Sequence, residues 1–302
     1  MSIITRINKF FTQPEPSGLL GISIRQEALA ICAIDEKEAI DCHTVKVNGD
    51  SFVDAIKNLK APKSLMGQCH LILSAQQNQL VQVDKPQVPE NEINAALKWQ
   101  IKDLVSIPPE DMIVDYYDGP TMAGGLEKIN VVCASKNELA ALVENINQNH
   151  CQIKSITVEE FAFASLAPIE DDARLMVCQQ PNEEILLIIV KNGALFFQRR
   201  LRGMAKIANQ SIDELSMGII DSLSLEIQRS TDYFERQLKQ APIRSIEILV
   251  PMEHEAYLAR KLAENTNVVV NLFNMPENYS KHREFAACIG ATMLNHLEST
   301  ER

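Results

Sequence analysis

The chain repeats one order of strands and helices, and this repeat constrains its fold more than any single motif. Three short runs with alternating apolar residues, LLGISI, ALAICAI and DCHTVKV, predict an opening strand meander. A helix at SFVDAIKNL and strands at QCHLILS and QLVQVDK follow. The second half also begins with three predicted strands, RLMVCQQ, EILLIIVKNG and ALFFQRRL, and Asn192-Gly193 predicts a hairpin turn between the last two. A long amphipathic helix is predicted next, from about 212 to 240. We therefore predict an α/β protein with two duplicated βββαβα-type halves.

A stretch of different character separates the two halves. Pro86 and Pro89 precede a helical pattern that ends at Pro108-Pro109. Two strands (MIVDYYD, KINVVCAS), a helix (KNELAALVENINQNH) and a strand (IKSITVE) come next. These elements predict a small αββαβ inserted module at residues 86–158. The predicted domains are then 18–85, completed by a C-terminal helix at 284–302, the module, and a second domain at 159–283.

Composition narrows the functional classes. The 302 residues carry a formal net charge of −11, which argues against nucleic-acid binding. The one basic run, QRRLR at 198–202, is predicted to be a solvated strand end. No apolar run reaches the roughly 18 residues of a membrane span, and no signal peptide is evident. We expect a cytoplasmic protein.

The seven cysteines are odd in number and lack any C-x-x-C pair. Most of them lie inside apolar runs such as LAICAI and NVVCAS. This placement predicts small buried hydrophobic residues in a reducing compartment, rather than disulfides or zinc ligands. The six histidines are scattered, and no metal site is expected.

Residues 1–17 predict an amphipathic helix followed by a proline-containing linker. Its apolar side chains share one helical stripe, while Arg6 and Lys9 lie off that stripe. Such a helix could rest on a membrane surface or dock on a partner, and the sequence leaves both open. The residues proposed for this contact are Ile3, Ile7, Phe10 and Phe11.

Several segments, taken in order, resemble the PilM-type actin-like proteins of type IV pilus assembly. They are VPENEINAALKWQIKDLVSIPPEDMIVDYY, ITVEEFAFASL, the Asn-Gly hairpin and LSLEIQRSTDYFERQ. Within this family the members that serve the MSHA pilus are the most similar, and the resemblance covers about residues 18–297. It implies an actin-like ATPase fold similar to the division protein FtsA.

The resemblance also implies three loops that hold ATP and Mg²⁺, and this chain departs from the pattern in each. In the first loop, after Gly21, Ser23 stands for an aspartate and Arg25 for a glycine. The second loop has Gln179 and its neighbours where Asp-x-Gly is usual, and the third begins at Pro251 and has no glycine. Missing carboxylates and backbone donors predict a degenerate nucleotide site without a cofactor. The alternative is that ATP and Mg²⁺ are still bound.

The resemblance implies a cytoplasmic scaffold, peripheral at the inner membrane of a Gram-negative bacterium. Its partners would be the cytoplasmic N-terminal segment of a PilN-like inner-membrane protein and the pilus assembly motor ATPase. Trp99, Ile101 and Tyr116 are the candidate partner contacts, in a groove between the first domain and the module. The alternative function is an ATP-binding ATPase or nucleotide switch in the same machine. No catalytic residue is predicted, and Glu159-Glu160 is interpreted as solvated surface.

Overall fold

A computed structural model describes residues 18–47, 51–57, 67–119, 128–148 and 151–294. In these ranges the strands form two five-stranded sheets and one three-stranded sheet. No helix of the described ranges is both long enough and apolar enough to cross a membrane. The predicted N-terminal contact residues, Ile3, Ile7, Phe10 and Phe11, lie outside the described residues.

The first sheet has the strand order β3-β2-β1-β4-β8. Strands β1 to β3 form an antiparallel meander, and β4 and β8 extend the sheet in parallel with β1. The bounds are β1 Gly18–Arg25, β2 Ala28–Ile34, β3 Ile40–Lys46, β4 Gly67–Leu73 and β8 Gln152–Val158.

Helices cover both faces of the first sheet, which explains why β1 and β2 are buried almost throughout. On one face α1 (Phe52–Lys57) and α3 (Lys136–Gln148) bury Ile56 and Leu139 against Ile22 and Ile31. On the other face lie α4 (Glu159–Ala164) and α7 (Ala286–Thr292). A Cβ atom at Gly290 would lie 1.8 Å from the Ala162 carbonyl oxygen, so only glycine permits the close approach of α7 to α4.

The inserted module is a three-stranded antiparallel sheet covered by one helix. Its strands are β5 Asn78–Asp84, β6 Met112–Asp118 and β7 Lys128–Ser135, in the order β5-β7-β6. Helix α2 (Ile93–Gln100) buries Ile93 and Leu97 on the sheet, and Ile101 follows into the same core.

The module's bounds differ from the predicted 86–158. Strand β5, predicted for the first domain, pairs with β7 and therefore belongs to the module. Helix α3 and strand β8, predicted for the module, belong to the first half. The reason is physical: β8 pairs in parallel with β4, and the apolar face of α3 packs on the first sheet's core. The module thus spans residues 78–135.

The second half is built on a sheet with the order β11-β10-β9-β12-β13. The bounds are β9 Arg174–Cys178, β10 Ile185–Lys191, β11 Ala194–Leu201, β12 Ser245–Leu249 and β13 Val269–Leu272. Asn192 and Gly193 join β10 to β11 with φ angles of 52° and 74°, as the predicted hairpin requires.

The long amphipathic helix of the second half is interrupted. A short helix at Ile212–Glu214 is capped by Ser211, and a distorted turn at Leu215–Ile219 leads into α5 (Ile220–Asp232). Gly218 has a φ of 110° at this kink, and a second distorted turn, Tyr233–Gln237, ends the run. Helix α6 (Glu255–Glu264) completes the cover of β12 and β13.

The cysteine prediction was wrong for one pair. Cys32 and Cys42 form a disulfide, because the β2–β3 register places them directly opposite each other with their Cα atoms 4.3 Å apart. The other five cysteines form no disulfide, and they are buried as predicted.

Candidate functional site

The carboxyl end of β1 directs two polar side chains into the cleft between the halves. Ser23 is fully buried and Arg25 is 3% exposed. The hydroxyl of Ser23 donates to Oε1 of Gln180 at 2.9 Å, and Nε of Arg25 donates to the same oxygen at 3.0 Å. Two residues predicted for the first phosphate loop therefore bind a side chain of the second half.

Gln180 lies in the turn between β9 and β10. Asn182 takes a φ of 64° in this turn, and the amide of Glu183 donates to the Gln180 carbonyl at 3.0 Å. The side-chain amide of Gln180 then donates to Oε1 of Glu159 at 2.9 Å. Gln180 is 2% exposed and uses both ends of its amide.

Two adjacent carboxylates open α4 at the back of the cleft. Glu159 is 2% exposed and Glu160 5%, so the prediction of a solvated pair was wrong. Arg200 on β11 explains the burial: its two terminal nitrogens donate to Glu159 at 2.9 Å and to Glu160 at 3.0 Å. The basic run at 198–202 thus supplies a partly buried arginine that pairs with two buried carboxylates.

Burial dominates the electrostatics of the cleft. It raises the pKa of Glu159 to about 7, with Arg200 opposing the shift and Glu160 and Glu183 adding to it. Burial alone would lower the pKa of Arg200, but Glu159 and Glu160 together raise it. Burial also lowers the pKa of Arg25 and raises that of Glu183.

Further contacts close the mouth of the cleft. The backbone amide of Gln26 donates to a carboxylate oxygen of Glu183 in the second half. Nη2 of Arg25 donates to the Glu284 carbonyl at 2.5 Å, and its guanidinium lies 5.7 Å from the centre of the Phe285 ring. Arg25 therefore donates from two of its nitrogens, one to Gln180 and one to the Glu284 carbonyl.

The residues of this cleft do not fit Mg-ATP. The donors of Ser23 and Arg25 are directed at Gln180, and the same network contains the carboxyl group of Glu159 where a phosphate site needs donors. Gly21 serves packing instead, since a Cβ atom there would lie 2.4 Å from the Cys288 carbonyl oxygen. Among the described residues, no group of three or more His, Cys, Asp or Glu side chains is placed to hold a metal ion.

Gln179 and Pro251 lie apart from this network. The amide of Gln179 points into the second half, where it donates to the carbonyls of Glu183 at 2.8 Å and Met204 at 3.1 Å. The loop that begins at Pro251 is held by Glu255, whose carboxylate accepts from the Val250 amide at 2.7 Å.

The sequence reasoning named Ser23 and Arg25 but missed Gln180, Glu159 and Arg200. A signal was present, since Glu159-Glu160 directly follows the apolar strand at 153–158 and an arginine lies within ALFFQRRL. Two carboxylates at a strand end and an arginine inside an apolar run are typical of a buried ion pair.

The module presents a second candidate surface. Trp99 is 67% exposed on α2, and Tyr116 on β6 lines a groove of about 680 Å³. Ile101, the third predicted contact, is fully buried in the module core, so it is not available to a partner. The groove is lined by Lys85, Pro86, Gln87, Val88, Pro89, Glu90, Ile93 and Tyr116.

Comparison with solved structures identifies the fold. The chain matches a PilM–PilN type IV pilus biogenesis complex with a TM-score of 0.67 and 16% identity, over 92% of this chain and 98% of that chain. It matches the cytoplasmic domain of EpsL, an inner membrane component of the type II secretion system of Vibrio cholerae, with a TM-score of 0.50 and 13% identity, over 84% and 97%. It also matches a protein with an actin-like ATPase fold and unknown function from Bacteroides thetaiotaomicron. The TM-score is 0.54 and the identity 11%, over 94% of this chain and 98% of that chain.

No protein-family model matches the chain. No curated protein matches it either. At these identities the structural matches establish the fold, and they confirm the predicted actin-like fold class in its PilM-like form.

Proposed function

We propose that this protein is a nucleotide-independent scaffold of type IV pilus assembly that binds the cytoplasmic N-terminal segment of a PilN-like inner-membrane protein. One observation carries the proposal: Gln180 bonds to Ser23 and Arg25, the two residues at the position that the family resemblance gives to the first phosphate loop. The likeness to a PilM–PilN complex supports the choice of partner. The sequence resemblance to the MSHA branch of the family, whose member is MshI, supports the choice of system.

The module offers the geometry that an extended peptide needs. Its sheet order β5-β7-β6 leaves the outer side of β6 without a strand neighbour in the described part of the chain. An incoming strand can take up the backbone hydrogen bonds of such an edge. Tyr116 on β6 then provides a side-chain contact in the adjoining groove, and Trp99 provides an aromatic surface on α2.

The rest of the proposed role follows from the family resemblance. The scaffold would be cytoplasmic and peripheral at the inner membrane, and it would link its PilN-like partner to the motor ATPase. Residues 1–17 supply the proposed membrane or partner contact, through Ile3, Ile7, Phe10 and Phe11. A net charge of −11 leaves no role for nucleic acid.

Isothermal titration calorimetry of the full chain tests the proposal. A synthetic N-terminal peptide of the PilN-like protein from the same locus is titrated in one arm, and ATP with Mg²⁺ in the other. We expect micromolar peptide binding and no heat from ATP up to millimolar concentration. Micromolar ATP binding would refute nucleotide independence, and absence of peptide binding would refute the proposed partner.

The variant Trp99→Ala tests whether the peptide binds beside Trp99. Removing an exposed aromatic contact is expected to weaken peptide binding by at least about tenfold, with little change in stability. Met217→Ala is the matched control, because Met217 is 82% exposed and lies in the second half. Equal affinities for the two variants would show that Trp99 is not part of the peptide site.

A further inference from the structure

A continuous chain of buried and partly buried hydrogen bonds joins the two halves across the cleft. From the first half, Ser23 and Arg25 donate to Gln180 at 2.9 and 3.0 Å. From Gln180 the chain continues to Glu159 at 2.9 Å, and from there to Arg200 at 2.9 Å. We call Ser23, Arg25, Gln180, Glu159 and Arg200 the interdomain latch.

Gln180 is the junction of the latch. Its Oε1 atom accepts both bonds from β1, and its Nε2 atom donates to Glu159, so one side chain connects β1 to α4. An amide can do this because it combines an acceptor with two donors. A carboxylate at this position could not donate to Glu159, and an amine could not accept from Ser23.

Opening the cleft would remove polar partners from two buried charges. Arg25 is 3% exposed and Glu159 2%, and each would lose its bond to Gln180, although Arg25 would keep its bond to the Glu284 carbonyl. No buried side-chain nitrogen or oxygen atom of the five latch residues lacks a hydrogen-bond partner, whereas Oε2 of the neighbouring Glu160 does among the described residues. The paired polar atoms favour a single closed arrangement.

A second contact between the halves can be used to measure whether the cleft is closed. Gln26 is an exposed residue, yet its backbone amide donates to Glu183 of the second half. This amide is therefore protected from solvent exchange only while the halves are closed. It follows Arg25 directly in the chain, but it is not bonded to Gln180.

We propose that the interdomain latch holds the two halves closed permanently, and so takes the place of a bound nucleotide in fixing the angle between them. The module would then keep one orientation relative to the second half, because the two halves would not open and close around a nucleotide. This inference concerns the cleft alone, and it stands whether or not the partner is a PilN-like protein.

Hydrogen–deuterium exchange of the full chain near neutral pH tests the latch. Gln180→Ala removes all three bonds of the junction, and we expect the Gln26 amide to exchange at least about tenfold faster than in the wild type. Ser230→Ala is the control: Ser230 is fully buried in α5, and its hydroxyl donates to the Glu226 carbonyl within the second half, away from Glu183. In this control the Gln26 amide should keep its wild-type rate.

Ser23→Ala is a second variant that can be measured if Gln180→Ala does not fold. It removes one of the two hydrogen bonds from β1 to Gln180, and it should raise the exchange rate of the Gln26 amide by a smaller factor. Amides of β10 serve as an internal reference, because their exchange reports on the second half alone. The latch is refuted if Gln180→Ala or Ser23→Ala exchanges like the wild type, if Ser230→Ala exchanges as fast as Gln180→Ala, or if Mg-ATP slows exchange at Gln26 in the wild type.

Discussion

Glu159→Gln is expected to flatten the dependence of stability on pH. In the folded chain burial raises the pKa of Glu159 to about 7, against an ordinary value of 4.5. The folded chain therefore holds a proton that the unfolded chain releases between these two pH values. It follows that the free energy of unfolding falls as pH rises through this range and levels off above the folded pKa.

The magnitude follows from the two pKa values. For a group that titrates at 4.5 when unfolded and at about 7 when folded, the free energy of unfolding is ~2 kcal/mol higher at about pH 5.5 than at about pH 8. Glu183 contributes in the same direction, because burial raises its pKa too. His70 contributes in the opposite direction, since burial lowers its pKa and its protonation favours the unfolded chain.

Urea denaturation of wild type and Glu159→Gln at a series of pH values measures the effect. Because Glu183 and His70 are present in both proteins, the difference between the two curves isolates Glu159. We expect the difference to change by ~2 kcal/mol across this range. Glu264→Gln is the control: the Lys261 side chain holds the pKa of Glu264 below its usual range, so this residue stays ionised throughout. Parallel curves for wild type and Glu159→Gln would refute the reasoning.

Two further predictions concern packing and covalent structure. Alkylation by iodoacetamide in denaturant should add five groups by mass without reductant and seven with reductant, because Cys32 and Cys42 are joined in a disulfide. Seven groups without reductant would contradict the disulfide. Gly290→Ala should lower the free energy of unfolding by ~2 kcal/mol or more, because its Cβ would lie 1.8 Å from the Ala162 carbonyl oxygen. Thermal or urea unfolding measures the loss, and a loss below ~0.5 kcal/mol would show that α7 and α4 separate easily.

The order of elements was readable from the sequence because it depends on local patterns. Alternation marked the strands, and Asn192-Gly193 marked the hairpin through its backbone preference. The assignment of α3 and β8 to a sheet was not readable, since an amphipathic helix shows that a face is buried but not against what. The same limit explains the missed disulfide, which depends on the β2–β3 register.

The candidate site was likewise predictable from the sequence only in part. The loss of glycine and aspartate at Ser23 and Arg25 could be seen in the sequence, so an altered cleft was predictable. The contacts of Gln180 could not be seen, because Gln180 lies 157 positions along the chain from Ser23 and 21 positions from Glu159. Long-range polar contacts of this kind carry no local periodicity.

The charges of the cleft explain how an actin-like frame can persist without its ligand. Arg25 and Arg200 bring two positive charges into a buried space, where an unpaired charge is strongly unfavourable. In this chain the compensating negative charge comes from Glu159, Glu160 and Glu183. The same carboxylates would repel the phosphates of a nucleotide, so the feature that stabilises the closed cleft also opposes the ligand. Restoring nucleotide binding would therefore require removing these acids as well as rebuilding the loops.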